Sequence, residues 1–414
     1  MGSIKNPKNK FLKEGGAGEE KLSKNFSSPE GPHPRPLLYN NPINYRQVHP
    51  MTIRKAPETM TAHERVRRTF AHEPTDRVTI GYECGEAAEA RLMSALGVSD
   101  DIALKKALGV DYVWLDAHYT KPPIYPEIPN RTRRGDTGAI MRWVENRYGG
   151  YHDYCDFPLL DVDDETIANY PFPDPDGYDY EQSAERTDWL IKQGFAVHVG
   201  NPGFGDILNN TGMLMSVEES LVRAATGDEA FLTLVDHMID AVLGKCERLL
   251  ERNKGKITFF WMGEDLGCQH TPLISHATYD AVLRPHHQRF IDLAHAYDLP
   301  IMMHSCGSSS WVYEKLIAMG MDGVDTLQPE AANMSPAYLA EHFGGRLAFR
   351  GCISTAGPLA YGTPAEVTEI CQQTLATLMP HKGYHFAPTH SIQDNTPAEN
   401  IIAMYQAAHD LGRY

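Results

Sequence analysis

The sequence places a histidine and a cysteine two positions apart, His304 and Cys306, directly after the apolar residues 301–303. In an extended chain alternate side chains point to the same side, so the imidazole and the thiol would face one direction. Together they supply half of a zinc-binding set. The alternative interpretation is a buried cysteine beside a hydrogen-bonded histidine.

A repeating pattern surrounds this pair: a short apolar run ends in polar residues and is followed by an amphipathic stretch. The pattern occurs eight times. The runs cover residues 77–84, 111–119, 194–202, 257–265, 300–307, 323–330, 346–354 and 384–391. Eight strands alternating with helices predict an α/β fold of the (β/α)8 TIM barrel type, with a doubly wound parallel sheet as the alternative.

The predicted strand ends hold most of the residues that could do chemistry, which is where a TIM barrel carries its active site. Three of the seven cysteines fall at these ends. Core cysteines would more often lie in the middle of a strand or on a helix face. Thiolate and imidazole donors suit zinc. The predicted metal ligands are His304, Cys306, Cys352 and His390, with either Cys352 or His390 completing the site.

Carboxylates at the fourth predicted strand end provide candidates for proton transfer. These are the adjacent residues Glu264 and Asp265, of which strand alternation lets only one face the barrel mouth. The alternative for this pair is a solvated turn that caps a helix. Weaker candidates for contact with a substrate are His118, Asn201, Gln328 and Glu330.

Helix-start signals and one insertion complete the predicted architecture. Serine or threonine followed three residues later by glutamate predicts helix starts at Thr61, Ser216, Thr363 and Thr396. The last two also have proline at the first helical position. Residues 122–177 form an insertion between the second and third strands, with a hairpin predicted within residues 131–143.

The composition predicts a soluble, cytoplasmic protein. A formal net charge of −16 argues against binding to nucleic acid, and no apolar stretch has the length of a membrane span. Seven cysteines without a Cys-x-x-Cys motif are typical of a reducing compartment. Residues 1–58 predict an N-terminal extension, disordered over 1–35 and forming an arm over 36–58, and residues 59–414 the catalytic barrel.

From about residue 60 onward the chain resembles the uroporphyrinogen decarboxylase superfamily. The matching stretches are residues 65–77, Gly-Glu-Asp-Leu-Gly at 263–267, His-Ser-Cys-Gly at 304–307, Gly-Cys-Ile-Ser at 351–354, and residues 386–400. The superfamily includes the decarboxylase, zinc-dependent corrinoid methyltransferases and the catalytic part of cobalamin-independent methionine synthase. The resemblance implies a (β/α)8 barrel.

Two departures bear on the choice within this superfamily. The decarboxylase carries an arginine-rich segment near its start, where this chain has the acidic residues Glu83 and Glu86. The methyltransferases carry His-x-Cys and a later cysteine. This chain keeps His304 and Cys306 but has His390 at the later position, as the decarboxylase does, so Cys352 is the candidate for the missing thiolate.

The resemblance therefore implies a zinc-dependent methyltransferase, which moves a methyl group from a small donor, such as a methoxylated aromatic, to a corrinoid. Since the chain has no Asp-x-His-x-x-Gly motif for cobalamin, the corrinoid would arrive on a partner protein. A homodimer is compatible with this interpretation. The alternatives are a metal-independent decarboxylase of a smaller acid and a non-enzymatic binding protein on the same scaffold.

Overall fold

The computed structural model describes residues 51–133 and 135–414. The thirteen strands of these residues are β1 Thr79–Ile80, β2 Tyr112–Leu115, β3 His118–Tyr119, β4 Thr132–Arg133, β5 Ile140–Asn146, β6 Gly149–Asp156, β7 Tyr178–Asp179, β8 Ala196–Gly200, β9 Phe259–Gly263, β10 Ile301–His304, β11 Gly323–Asp325, β12 Ala348–Ile353 and β13 Tyr384–Pro388. Their fifteen α-helices are α1 Ala62–Phe70, α2 Glu86–Leu96, α3 Asp101–Leu108, α4 Asp164–Ala168, α5 Tyr180–Lys192, α6 Ile207–Met215, α7 Val217–Thr226, α8 Glu229–Arg252, α9 His276–Thr278, α10 Arg284–Ala296, α11 Tyr313–Met319, α12 Pro336–Phe343, α13 Pro358–Tyr361, α14 Pro364–Leu378 and α15 Ala398–Leu411.

Eight parallel strands form the central sheet, in the order β1-β13-β12-β11-β10-β9-β8-β2. Its two outer strands are joined by a backbone hydrogen bond, in which Asp111 N donates to Ile80 O over 2.9 Å. The Asp111 side chain adds a second bond, since its Oδ2 accepts from Ile80 N at 2.7 Å. Each of the eight predicted runs contains one barrel strand. The predicted TIM barrel is confirmed, and the doubly wound alternative is wrong.

Strand alternation divides the apolar side chains between two cores. Phe259 and Trp261 of β9 point into the barrel, whereas Phe260 and Met262 pack against the surrounding helices. Helix α1 covers the amino end of the barrel, where the Phe70 ring lies 5.4 Å from that of Phe259. The carboxyl end is left for the loops. Among the described residues no helix is both long and apolar enough to cross a membrane.

The first residue that the structure describes is Met51. The arm predicted for residues 1–58 therefore lies outside the described residues as far as position 50. Beyond that point, Met51 N donates to Ala95 O at 3.0 Å and Arg54 N donates to Gln406 Oε1 at 2.9 Å. Residues 51–58 thus run along α2 and α15 of their own chain.

The insertion forms a small antiparallel sheet in the order β4-β5-β6. Strands β4 and β5 make the hairpin predicted within residues 131–143, and Arg133 pairs with Ile140. Strand β6, which the sequence analysis did not predict, adds a third strand along the whole of β5. Its alternation of aromatic and polar residues lacks the apolar face of a core strand.

Three of the four predicted helix starts are caps. The hydroxyls of Thr61, Ser216 and Thr363 each accept a hydrogen bond from the backbone three residues later. The prediction for Thr396 is wrong. Helix α15 begins at Ala398 with Pro397 as its N-cap, because Thr396 N donates to Gln393 O in the preceding turn.

A buried ionic cluster fixes the closure of the barrel. Asp111 accepts from Arg65 Nη1 at 2.5 Å and from Arg77 Nη1 at 2.7 Å, and all three side chains are almost wholly buried. Asp76 holds Arg65 Nε at 2.6 Å. Arg77 also pairs with Glu58 at 2.7 Å, so each guanidinium has a second carboxylate and the two groups share Asp111 at the junction between β1 and β2.

We expect Asp111→Ala to lower the free energy of unfolding by about 3–5 kcal/mol, because it leaves two buried cations without their shared partner. The matched control is Asp188→Ala in α5, which removes an exposed carboxylate paired with Lys256 at 2.6 Å. That variant should change stability by less than about 1 kcal/mol. Denaturant titration measures both, and equal losses would contradict the assigned role of Asp111.

Candidate active site

Three potential metal ligands meet at the carboxyl end of the barrel. His304 ends β10, Cys306 follows two residues later, and His390 lies in the loop after β13. One ligand atom from each lies within 4.8 Å of the others. Cys306 Sγ is 3.5 Å from His304 Nε2. His304 is buried and His390 exposed, so the cluster faces the barrel mouth.

The His304 ring is held by a carboxylate behind it. Its Nδ1 donates to Asp325 Oδ2 at 2.8 Å, which leaves Nε2 directed toward Cys306. Asp325 in turn accepts from Arg350 Nη1 at 2.6 Å. A carboxylate that orients a histidine in this way is the usual second layer of a metal site.

Burial and hydrogen bonding act in opposite directions on this pair. Burial alone would lower the pKa of His304, but the hydrogen bonds to Asp325 and Cys306 raise that pKa well above its ordinary value. Burial raises the pKa of the Cys306 thiol, although His304 opposes the shift. A metal ion bound by both side chains would therefore displace protons from them.

Asp265 lies next to the cluster. Its Oδ1 accepts from Cys306 N at 2.7 Å and is 3.9 Å from His304 Nε2. Its Oδ2 accepts from Asn209 Nδ2 at 2.9 Å. Burial would raise the pKa of Asp265, but the charge on His304 and the bond from Cys306 N lower it below its ordinary value. The group is an ionised carboxylate at neutral pH.

Glu264 points the other way, against the start of α6. Its carboxyl oxygens accept from Ile207 N at 2.8 Å and Leu208 N at 3.0 Å, and His287 Nε2 lies 3.3 Å away. Burial raises the pKa of Glu264 to about 8. Of the two predicted acid/base candidates, the structure thus brings Asp265 to the cluster and uses Glu264 to hold a helix.

Cys352 is not brought into the cluster. Its side chain is buried among apolar residues of the outer core, and burial raises the pKa of its thiol. Simple alternation along β12 would have turned it to the same side as Arg350. Gly351 and Cys352 both have positive φ, 111° and 67°, which breaks the alternation at this point.

The four predicted substrate contacts are dispersed. Asn201 lines the cavity at the mouth. Gln328 Oε1 accepts from Gly307 N and so supports the loop that carries Cys306. Glu330 is exposed, and His118 lies exposed in the β3–β7 pair. Only Asn201 is placed where a ligand in the mouth cavity would touch it.

The mouth cavity has a volume of 310 Å³ and a mixed aromatic and acidic wall. Its aromatic residues are Tyr82, Tyr112, Trp114 and Trp261. Ser391, next to His390, also lines it. A second cavity of 280 Å³ adjoins it, since the two share Trp114 and Asn201.

The family comparison covers the part of the chain that carries the cluster. Residues 224–411 match the family described as uroporphyrinogen decarboxylase (URO-D). The URO-D segment contains β9 to β13 and with them Asp265, His304, Cys306 and His390. The resemblance inferred from the sequence motifs is therefore confirmed over this segment.

One solved structure shares the fold of the URO-D segment and of the residues before it. A methyltransferase from Methanosarcina mazei is 15% identical with a TM-score of 0.61, over 85% of this chain and 99% of that chain. Xylanase 10B from Thermotoga maritima is 12% identical with a TM-score of 0.38, over 80% and 86%. The first likeness supports the fold. The comparison with curated proteins found no match.

Sequence reasoning missed the residues that orient His304. Asp325 lies inside the sixth predicted run and Arg350 inside the seventh, each with apolar neighbours. A charged residue within a buried strand was the available signal, because such a group needs a buried partner.

We expect Glu264→Gln to flatten the pH dependence of stability. The Glu264 pKa is about 8 in the folded protein against an ordinary 4.5. As the pH rises, the Glu264 carboxyl loses its proton in the unfolded chain before it does so in the folded protein. The stability that the protonated Glu264 side chain contributes below pH 4.5 is therefore lost as the pH rises toward 8. Glutamine does not titrate, so over this pH range the free energy of unfolding of the variant should rise relative to that of the wild type by up to about 1.4 kcal/mol per pH unit.

Denaturant titrations between pH 5 and pH 8 measure this difference. Glu341→Gln, at an exposed position of α12, is the matched control and should follow the wild type. Parallel curves for Glu264→Gln and the wild type would show that Glu264 is ionised in the folded protein.

Proposed function

We propose that this protein is a zinc-dependent methyltransferase, which moves a methyl group from a small donor to a corrinoid on a partner protein or to a similar acceptor. The observation that carries the proposal is the cluster of His304, Cys306 and His390 at the barrel mouth. The match of residues 224–411 to the URO-D family and the fold shared with the Methanosarcina mazei methyltransferase support it.

The donor set suits zinc. A tetrahedral zinc ion with bonds of about 2.0–2.3 Å holds its ligand atoms roughly 3.3–3.8 Å apart. The 3.5 Å between Cys306 Sγ and His304 Nε2 falls in this range. Three protein ligands leave a fourth position for substrate, as catalytic zinc sites do. When bound, zinc would act as a Lewis acid on the donor's heteroatom or keep a substrate thiol ionised.

The chain's own residues supply the rest of the site. Asp325 fixes the His304 ring so that Nε2 faces the mouth. Asp265 is an ionised carboxylate 3.9 Å from that nitrogen, and both of its oxygens are already held by hydrogen bonds. A base fixed in this way can accept or position one proton at a substrate atom without rearranging.

The donor is proposed to be small and to bind in the 310 Å³ mouth cavity. Its aromatic wall favours a methoxylated aromatic. The corrinoid is assigned to a separate protein because the sequence has no Asp-x-His-x-x-Gly motif.

The alternative, a metal-independent decarboxylase of a smaller acid, is favoured by the family name and by His390. It requires a cation that is free to bind the substrate carboxylate. Arg350 is engaged by Asp325 and Glu83, and Lys105 at the cavity rim is paired with Asp101. The paired state of both cations favours methyl transfer.

We expect about one zinc ion per chain in protein purified under reducing conditions without chelator, since the cluster offers one set of three ligands. Cys306→Ser should lower zinc content and activity together, because a serine hydroxyl is a poor zinc ligand at neutral pH. Cys155→Ser in β6, whose thiol donates to Asp156 Oδ2, is the control and should change neither. Elemental analysis gives the zinc content, and a metal-free preparation with full activity would reject the metal role.

Asp265→Asn should reduce methyl transfer about a hundredfold, because the amide keeps the shape and removes the base. Transfer from 2-methoxyphenol to free cob(I)alamin, followed by its absorbance, is the assay. Glu341→Gln, at an exposed position of α12 far from the mouth, is the control. Equal losses in the two variants, or release of carbon dioxide from an acid without zinc, would count against the proposal.

A further inference from the structure

Trp261 occupies a distinctive place in the mouth cavity. Alternation along β9 turns its ring into the barrel, and it pairs in register with Met302, two residues before His304. Its side chain lines the 310 Å³ cavity and is only 3% exposed. A ligand that rests on Trp261 would therefore lie below the proposed metal ligands and one strand away from them.

The indole N–H of Trp261 has no hydrogen-bond acceptor among the described residues. Such a buried donor costs about 1–3 kcal/mol, and buried tryptophans normally find a partner. The other unpartnered ring nitrogens near the barrel axis belong to His385, whose ring centre lies 4.7 Å from that of Phe70 at the closed amino end. Trp261 differs from His385 because it borders a cavity of ligand size.

The charges around Trp261 limit which ligand can supply the acceptor. Glu83 and Glu89 line the same cavity. The Arg350 guanidinium lies 4.3 Å from the centre of the Trp261 ring, but it already donates to Asp325, Glu83 and Tyr112. Lys105 also lines the cavity, but its ammonium group is paired with Asp101. A carboxylate ligand would therefore meet two glutamates and only cations that already have a partner, so its desolvation would be poorly compensated.

We infer that the mouth cavity binds an uncharged aromatic ether and that Trp261 Nε1–H donates to the ether oxygen. Tyr82 and Trp114 supply apolar walls of the same cavity. The inference rests on the proposed function for its choice of a methyl donor. It goes further in naming Trp261 Nε1 as the atom that recognises the ether oxygen and in excluding anionic donors.

The test compares two nearly isosteric ligands, anisole and ethylbenzene, which differ by an oxygen in place of a methylene. Ligand-observed NMR titration of the full-length protein gives both affinities. We expect the wild type to prefer anisole about tenfold, as one buried hydrogen bond provides. In Trp261→Phe, which keeps an aromatic ring, the preference should fall below about twofold while ethylbenzene binding is retained.

Two further measurements complete the test. Trp189→Phe, on α5 with the indole 39% exposed, is the matched control and should keep the wild-type preference. We expect 4-methoxybenzoate to bind at least about tenfold more weakly than anisole. Equal binding of anisole and ethylbenzene, a preference that survives in Trp261→Phe, tight binding of 4-methoxybenzoate, or no binding of anisole would each overturn the inference.

Zinc content and methyl transfer are measured on the same preparations, which separates this inference from the proposed function. Zinc-loaded protein that methylates cob(I)alamin from another donor, without an anisole preference, would remove this inference alone. Metal-free protein that shows the expected preference and its loss in Trp261→Phe would support this inference and remove the proposed metal chemistry.

Discussion

The organisation of the barrel mouth depends on one buried carboxylate, Asp325. It accepts from His304 on one side and from Arg350 on the other, at 2.8 and 2.6 Å. A charge in the barrel interior is stable only when such partners compensate it. Arg350 is therefore required to compensate the charge of Asp325. Its guanidinium also donates hydrogen bonds to Glu83 and Tyr112, which line the mouth cavity. The orientation of His304 and the charge of the cavity wall follow from the same set of contacts.

A second buried ionic cluster connects the first two strands. Asp111 joins β1 to β2 and satisfies Arg65 and Arg77, while the Asp325 cluster links β10, β11 and β12. The apolar layer around Phe259 lies under the mouth, so the two clusters have no partner in common. Changes at Asp111 should therefore act on closure of the sheet, whereas changes at Asp325 should act on the geometry of the site.

The sequence pattern located the barrel strands because each is a short apolar run that ends in polar residues, a property of single segments. It also placed His304 and Cys306 correctly on one side, since two-residue alternation holds through the end of β10. Two-residue alternation fails for Cys352, because positive φ at Gly351 and Cys352 rotates the end of β12. Asp325 and Arg350 were missed for a different reason. Their roles exist only as a pair, and pairing between strands is set by register, which a single sequence does not display.

Glu264 and Asp265 show how adjacency in sequence becomes coupling in space. Because they face opposite sides, Glu264 binds the backbone of α6 while Asp265 reaches Cys306 N. Asn209, on the first turn of α6, donates to Asp265, so both carboxyl groups are hydrogen-bonded to the start of the same helix. The position of α6 therefore sets the orientation of the Asp265 carboxylate, and Glu264 sets the position of α6. A residue that faces away from the reacting groups can in this way determine whether the base beside the proposed metal ligands points toward them.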